Sequence, residues 1–368
     1  MTSNIAVEKG SILIYRVFDI AEEVDLKRVE SILSEAISNE RLKLKKGPRN
    51  AMVMRNAPIV LNAQEVEIEI SGQTMKAELY AKIWDYGVLS LIFQIPIVPG
   101  TSWTQLVETS SFLEADHKID QLARIRSAEL TTMLNPALTK PHEWDVFEDY
   151  MIFFFEKLQG VEKAADLVKQ ADIPSLILGE TSFSASEKSK QSILEGLYQY
   201  SSDDLAVIDW NSAVVVEPSG RKEVPEVLEF VLTQMMEMRY YDDLLDDRLY
   251  ELYDEIEKTR GSIFKSRFST LSREASTRFI EFSEFIERVD NSLKVVGDFY
   301  LATIFRAASV KFRMKDWQES VTQKMNLMAR VSELLSSEVH AGRSLILETI
   351  VVLLIAFEIM TALMKVTS

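Results

Sequence analysis

Carboxylates are concentrated in one stretch of the chain, residues 242–257. Asp242, Asp243, Asp246 and Asp247 form two pairs whose members are four positions apart, and further acidic residues follow. On a helix each pair would share one face, where like charges repel by roughly 0.3 kcal/mol. Such a face can bind a divalent cation or dock a basic partner such as a ribosomal surface. A solvated helix face gives the same pattern, so the four aspartates are weak candidates for metal ligands.

Two further carboxylates interrupt the most apolar part of the chain. Residues 345–364 read LILETIVVLLIAFEIMTALM, in which only Glu348, Glu358 and two threonines are polar. As a helix this run would be about 30 Å long, which matches the hydrocarbon core of a bilayer. It predicts a C-terminal transmembrane helix. The glutamates would lie about 80° apart around that helix, so we expect their side to contact other copies of the chain or a small polar pathway. A buried helix and an interfacial insertion are the alternatives.

The flanks of this run predict its orientation. The first ten residues lack the apolar core and the small-residue cleavage site of a signal peptide. Arg330 and Arg343 precede the run and only Lys365 follows it, which agrees with a cytoplasmic N-terminal body. We therefore expect a tail-anchored, single-pass protein at the cytoplasmic face of the inner (plasma) membrane.

Composition excludes several kinds of site. The 368 residues include no cysteine, so disulfides, thiolate catalysis, zinc fingers and iron–sulfur clusters are excluded. The histidines, His117, His142 and His340, are far apart in sequence, which disfavours a histidine-based metal or general-base site. A net charge of −16 argues against direct nucleic-acid binding, which needs a basic stripe. The basic segment Arg41 to Arg49 is read as an edge strand or solvated turn, with an RNA or lipid contact as the alternative.

Short catalytic motifs are also missing. The sequence contains no G-x-x-x-x-G-K, G-x-G-x-x-G, H-E-x-x-H or G-x-S-x-G segment. We therefore predict no cofactor, and the sequence favours a role other than catalysis.

The elements that would position these residues occur twice along the chain. A strand-like run, a helical run, a hairpin and a long helical run fill residues 1–140, and the same order returns from 141 to 223. Asp85-Tyr86-Gly87 marks the turn of the first hairpin and Asp209-Trp210-Asn211 that of the second. We interpret this as an α+β fold with a duplicated α/β unit, whose two sheets merge or stay separate. A chance match is the alternative, because hairpin turns favour these residue types.

The remainder of the chain has a helical pattern. From 224 to 343 apolar residues recur at three- and four-residue steps with few glycines, which predicts a coiled-coil-like stalk. Residues 344–366 then form the predicted anchor.

Several short segments resemble one known family, the membrane-anchored proteins typified by the "required for meiotic nuclear division" proteins. The segments are WDYGVLS at 84–90, DDLAVIDWN at 203–211, MRYYDDLLD at 238–246 and KDWQESVTQK at 315–324, together with the ten-residue spacing of the two glutamates. The matching positions include Asp85, Gly87, Asp209, Trp210, Arg239, Asp242, Trp317 and Lys324. The resemblance implies a self-associating membrane protein that supports mitochondrial translation and holds ribosomes near the membrane, with no established catalytic residue.

These observations lead to one functional expectation and one alternative. The expectation is a tail-anchored scaffold that associates with itself and tethers the translation machinery or another basic partner to a membrane. The alternative is a cation-handling protein or enzyme that uses the acidic stalk cluster and the two glutamates, Glu348 and Glu358.

Overall fold

The computed structural model describes residues 5–37, 56–179, 186–259 and 298–366, with a few single positions between 273 and 284. The chain divides into two compact units. Residues 1–240 with 289–315 form the first, which we call the α/β unit, and residues 241–288 with 316–368 form the second, the helical unit. The basic segment Arg41 to Arg49 lies outside the described residues. The domain bounds predicted from the sequence stay predictions.

In the α/β unit, strands and helices alternate irregularly. The strands are β1 Ala6–Asp19, β2 Ala21–Val24, β3 Ile59–Ile70, β4 Gln73–Ile83, β5 Val88–Pro96, β6 Thr101–Ser102, β7 Leu138–Pro141, β8 Phe147–Gln159, β9 Leu197–Tyr198, β10 Leu205–Ile208 and β11 Ser212–Val216. The helices are α1 Leu26–Ile37, α2 Trp103–Ala115, α3 Lys118–Leu134, α4 Ala164–Gln170, α5 Ile173–Leu178, α6 Glu187–Leu194 and α8 Phe299–Lys311. Helix α7, Glu223–Thr259, begins in the α/β unit, and α9 spans Met314–Val366.

One large mixed sheet forms the centre of the α/β unit. Among the described residues its strand order is β3-β4-β5-β1-β8-β11-β10-β9, and β6 also pairs with β1. All neighbours are antiparallel except β8 and β11, which run parallel. A separate two-stranded sheet joins β2 to β7. The sheet is therefore continuous across both of the segments that we interpreted as copies.

Strand β1 is buried on both faces because helices cover both sides of the sheet. Ile12, Ile14 and Phe18 belong to the main core, which also contains residues of α1, α2, α3 and α5. The intervening Leu13 and Tyr15 are equally buried. A strand covered on both faces carries a continuous apolar run rather than an alternating one, and the β1 sequence ILIYRVF agrees with this.

The predicted fold class needs correction. The predicted α+β fold with a C-terminal transmembrane helix is wrong, because the fold is mixed α/β with one large sheet. The single sheet corresponds to the merged form of the duplicated unit, and the duplication itself stays a prediction. The physical reason for the single sheet is the pairing of β1 with β8, which extends in register from Gly10↔Phe155 to Phe18↔Phe147. Apolar strands are most stable when both of their edges are paired and both of their faces are buried. This favours one sheet that contains both segments.

The predicted transmembrane anchor is also wrong. In the part of the chain that the structure describes, no helix carries an apolar run long enough to cross a bilayer. A span needs about 20 predominantly apolar residues. Glu348, in the first turn of the apolar run, is exposed, and a charged side chain disfavours a span. The single-pass membrane localisation that we predicted is wrong with the anchor.

A tight turn joins β4 to β5, and its hydrogen bonds connect the two-stranded sheet to the large sheet. The turn residues Asp85 and Gly87 accept hydrogen bonds through their carbonyl oxygens from the amides of Val24 and Ile20, at 2.8 and 2.9 Å. Gly87 has φ +93°, and a Cβ atom there would lie 1.6 Å from the carbonyl oxygen of Ala21. Only glycine fits this position, since both the backbone conformation and the space exclude a side chain.

We expect Gly87→Ala to lower the free energy of unfolding by more than about 3 kcal/mol, because the backbone of β2 must move away. Gly100→Ala is the matched control: its φ is +90°, but nothing lies within 4 Å of the added Cβ. That control should cost about 1 kcal/mol, from the backbone conformation alone. Urea unfolding of both variants measures the difference, and equal losses would show that contact with β2 does not matter.

Candidate functional site

Four polar side chains meet where β1 ends. Asp19 and Glu237 are almost completely buried, His142 is mostly buried, and Tyr240 is half-buried. Nε2 of His142 lies 2.7 Å from Oδ1 of Asp19, and Nδ1 of the same ring lies 3.3 Å from the hydroxyl of Tyr240. The imidazole and phenol rings stack with centroids 4.2 Å apart and an interplanar angle of 4°. We call these four residues the Asp19 cluster.

Local structure explains why these residues meet. The chain bends after Asp19 into β2, and β2 pairs with β7 so that Ala21 faces Pro141. This pairing brings the next residue, His142, beside Asp19, and the amide of His142 donates to the carbonyl oxygen of Ile20 at 3.2 Å. On α7, Glu237 and Tyr240 are three residues apart and so lie on one helix face.

Burial controls the charge of the cluster. It raises the pKa of Asp19 well above its ordinary value, and the hydrogen bonds from Glu237 and from the amide of Ala21 oppose this only in part. A hydrogen bond between two carboxyl groups requires a proton on one of them. The Asp19–Glu237 pair therefore holds a proton at pH values where an exposed pair would have lost it.

The neighbouring ion pair joins the start of β8 to α7. Arg239 donates through Nη1 to Oε1 of Glu148. Burial raises the pKa of Glu148 from its ordinary value of 4.5 to about 7, and the charge of Arg239 opposes that rise. Arg239 is one of the positions that matched the sequence resemblance. It directly precedes Tyr240 of the Asp19 cluster in the chain.

Chemically, the Asp19 cluster is a relay in which one imidazole connects a buried carboxyl pair to a phenol. Such a chain can store a proton or pass it toward the surface. Sequence analysis missed it, since Asp19 and His142 are 123 residues apart and Glu237 lies in an apolar helical pattern. One feature of the sequence did indicate a polar site. Three polar residues, Thr233, Gln234 and Glu237, lie close together in an apolar helical pattern, and all three are buried.

The second hairpin turn lies at a different place in the α/β unit. Asp209 accepts from Nζ of Lys311 on α8 at 3.0 Å, and its carbonyl oxygen accepts from the hydroxyl of Tyr150 at the same distance. Trp210 is 66% exposed. Asp209 and Trp210 thus contact α8, β8 and solvent rather than the Asp19 cluster, while Asp85 and Gly87 hold β2 beside it.

In the helical unit, a lysine occupies the acidic cluster predicted from the sequence. Nζ of Lys324 lies 2.9 Å from Oδ1 of Asp242 and 2.6 Å from Oδ2 of Asp246, and Ser320 donates to the same Oδ1 at 2.7 Å. Asp243 and Asp247 are exposed, and Trp317 is half-buried on α9. Across the described residues, no three carboxylate or imidazole side chains converge to hold a metal ion. The cation hypothesis therefore gains no support from them.

Near its C-terminal end, α9 exposes large apolar side chains on every face. Exposed fractions run from 47% at Ile350 to 64% at Leu353, and they are 56% at both Ile359 and Met360. Glu348 is exposed as well, and the side chain of Glu358 lies outside the described residues. We call residues 350–360 the apolar segment.

Comparison with known proteins places the first part of the chain in one family. The family model described as "Uncharacterized protein MJ0711, N-terminal domain" matches residues 9–223. A curated relative, "Uncharacterized protein MJ0711" of Methanocaldococcus jannaschii, is 22% identical over 175 residues, which are 47% of this chain and 53% of the relative. The chain thus spans about half the length of the curated relative that it matches. No solved structure matches.

These matches overturn the resemblance to the "required for meiotic nuclear division" proteins, which is wrong. The segments that suggested it are seven to ten residues long, and two of them include hairpin turns. Turn geometry by itself selects aspartate, glycine and asparagine, so unrelated chains share such segments. The role in translation was implied by that resemblance alone.

The raised pKa of Glu148 predicts a pH dependence of stability. Because the pKa in the folded protein lies above that in the unfolded chain, the group favours folding below pH 4.5, and this advantage is lost as the pH rises to about 7. In Glu148→Gln, the free energy of unfolding should fall less between pH 4.5 and 7 than in the wild type. Part of this pH dependence should remain in the variant, because Glu226 also has a pKa of about 7. The exposed Glu143→Gln is the control, and a slope reduced equally by both variants would contradict this assignment.

Lys324 is expected to stabilise the helical unit by neutralising Asp242. Lys324→Met should lower the free energy of unfolding by about 2 kcal/mol, which is less than for a fully buried pair because a fifth of the lysine side chain is exposed. Adding Asp242→Leu should recover most of this loss, since the carboxylate that then lacks its lysine, Asp246, is 61% exposed and stays solvated. Lys76→Met, which breaks an exposed pair with Glu65, is the control and should change little. Failure of the double variant to recover would show that the lysine acts through packing.

Proposed function

The chain belongs to the family of the MJ0711 N-terminal domain, and we propose that it is a non-catalytic scaffold that associates with itself through its apolar segment. The observation that carries the proposal is the exposure of this segment on all faces of α9. Six consecutive residues, 350–355, are each about half exposed, so among the described residues no element covers a face of the helix there.

Energetics favour a partner for these side chains. An apolar helix face of this size in water is rare in a monomer and marks a contact surface. Removing the remaining exposed area of one such side chain from water contributes roughly 1 kcal/mol. Eight such side chains together contribute roughly 8 kcal/mol. This exceeds the smallest cost of association, which is about 4 kcal/mol.

A second copy of the chain is the occupant that this surface suits best. Association of identical apolar helices needs no complementary sequence elsewhere, and closed symmetric oligomers are the commonest form of self-association. Upstream on α9, buried residues such as Val321, Met325, Met328 and Val331 recur at three- and four-residue steps and pack within the helical unit. The apolar segment lies farther along the same helix.

The relay in the Asp19 cluster is compatible with a non-catalytic role. Its carboxyl pair lies between β1 and α7, where it joins a strand end to a helix. In a scaffold such a pair contributes specificity of packing more than stability, because burial of the carboxyl groups offsets their hydrogen bonds.

Self-association can be tested with charges introduced into the apolar segment. We expect the intact wild-type chain to sediment as an oligomer at micromolar concentration, and Leu353→Lys/Leu354→Lys to raise the dissociation constant at least about 100-fold. The matched control is Ile125→Lys/Val310→Lys, which places two lysines at exposed apolar positions of the α/β unit. Analytical ultracentrifugation measures all three proteins. A monomeric wild type, or equal effects of the two double variants, would contradict the proposal.

A further inference from the structure

A cleft in the α/β unit is bounded by the loop after β9, the turn after β11, and the first residues of α7 and α8. It shares no lining residue with the Asp19 cluster. Its volume is about 540 Å³, which is within the range of ligand sites. Its lining includes Tyr200, Asp203, Asp204, Glu217, Arg221 and Tyr300.

The cleft carries a strong negative charge. Five carboxylates and one guanidinium group, that of Arg221, are among its lining residues. Four of the carboxylates accept local hydrogen bonds. Asp204 accepts from the amide of Tyr200 at 2.8 Å, and Asp298 caps α8. Glu217 accepts from the hydroxyl of Ser219 at 2.6 Å, and Asp203 accepts from that of Ser202 at 3.1 Å. Burial, together with the charges of Asp204 and Glu217, raises the pKa of Tyr300. The carboxylate field therefore acts inside the cleft and would favour a cation there.

Aromatic rings supply the second recognition element. Tyr200 and Tyr300 are in contact, with ring centroids 5.7 Å apart and an interplanar angle of 54°. Tyr200 is 76% exposed, and Tyr300 beside it is half-buried. Exposed aromatic rings beside carboxylates form the arrangement that binds a planar cation, by stacking and by charge together.

We propose that this cleft binds an arginine side chain in a basic segment of a partner protein. The guanidinium group stacks on Tyr200 and lies within reach of the carboxylates of Asp203 and Glu217, and the aliphatic part of the side chain packs on the exposed rings. Arginine fits better than lysine, because its planar group can stack and donate hydrogen bonds in the same plane. The proposal is independent of self-association, since all these residues belong to the α/β unit.

The test uses the intact chain and a capped peptide with two arginines separated by glycine. Calorimetric titration should give saturable binding in the submillimolar range that weakens as salt is added. The same peptide with citrulline, a neutral analogue of arginine, should bind at least about tenfold more weakly. Tyr200→Ala should weaken binding of the arginine peptide about fivefold. Tyr250→Ala is the control, because Tyr250 is 77% exposed but lies in the helical unit.

Three results would overturn the proposal. Equal affinity for the arginine and citrulline peptides would remove the role of charge. Equal effects of the two tyrosine substitutions would remove the role of the cleft. Micromolar binding of spermidine with no binding of the arginine peptide below about 10 mM would assign the cleft to a free polyamine instead.

Discussion

Burial of β1 on both faces and along both edges is the constraint on which the rest of the structure depends. β1 pairs with β5 from Ser11 to Asp19 and with β8 over nearly the same residues, so each backbone group in this stretch has a strand neighbour. With helices on both sides of the sheet, the strand has no solvated face. The residues at the end of the strand are consequently buried as well, and these include Asp19 with its carboxyl group.

The electrostatic properties of the α/β unit follow from that burial. Lys82 and Glu229 form an ion pair whose carboxylate is almost inaccessible, and Tyr15 on the same side of the sheet has a raised pKa for the same reason. Charges in such an environment are stable only when they are paired or protonated. Glu229 and Glu237 of α7 therefore face partners on the strands rather than solvent, and burial raises the pKa of Asp19 beside Glu237.

The two units differ in how completely they cover their apolar residues. The α/β unit buries its apolar strands on both sides and leaves single exposed residues such as Val98 and Ile125. In the helical unit, Leu245, Leu249, Leu252, Met325 and Met328 are buried, and Lys324 neutralises the nearby aspartates. In the apolar segment, by contrast, the described side chains are about half exposed.

By itself, the sequence determined the local features of this protein. β-Branched and aromatic runs gave strands, Asp85-Tyr86-Gly87 gave a hairpin turn, and the pattern after residue 224 gave long helices, because these depend on residues only a few positions apart. Tertiary structure alone decided that the two similar segments share one sheet, that His142 contacts Asp19, and that Lys324 fills the acidic cluster. It also corrected the membrane anchor, because no helix among the described residues is long and apolar enough to cross a bilayer. Contacts over 80 to 120 residues depend on which faces the whole chain can bury together, and no local pattern encodes that.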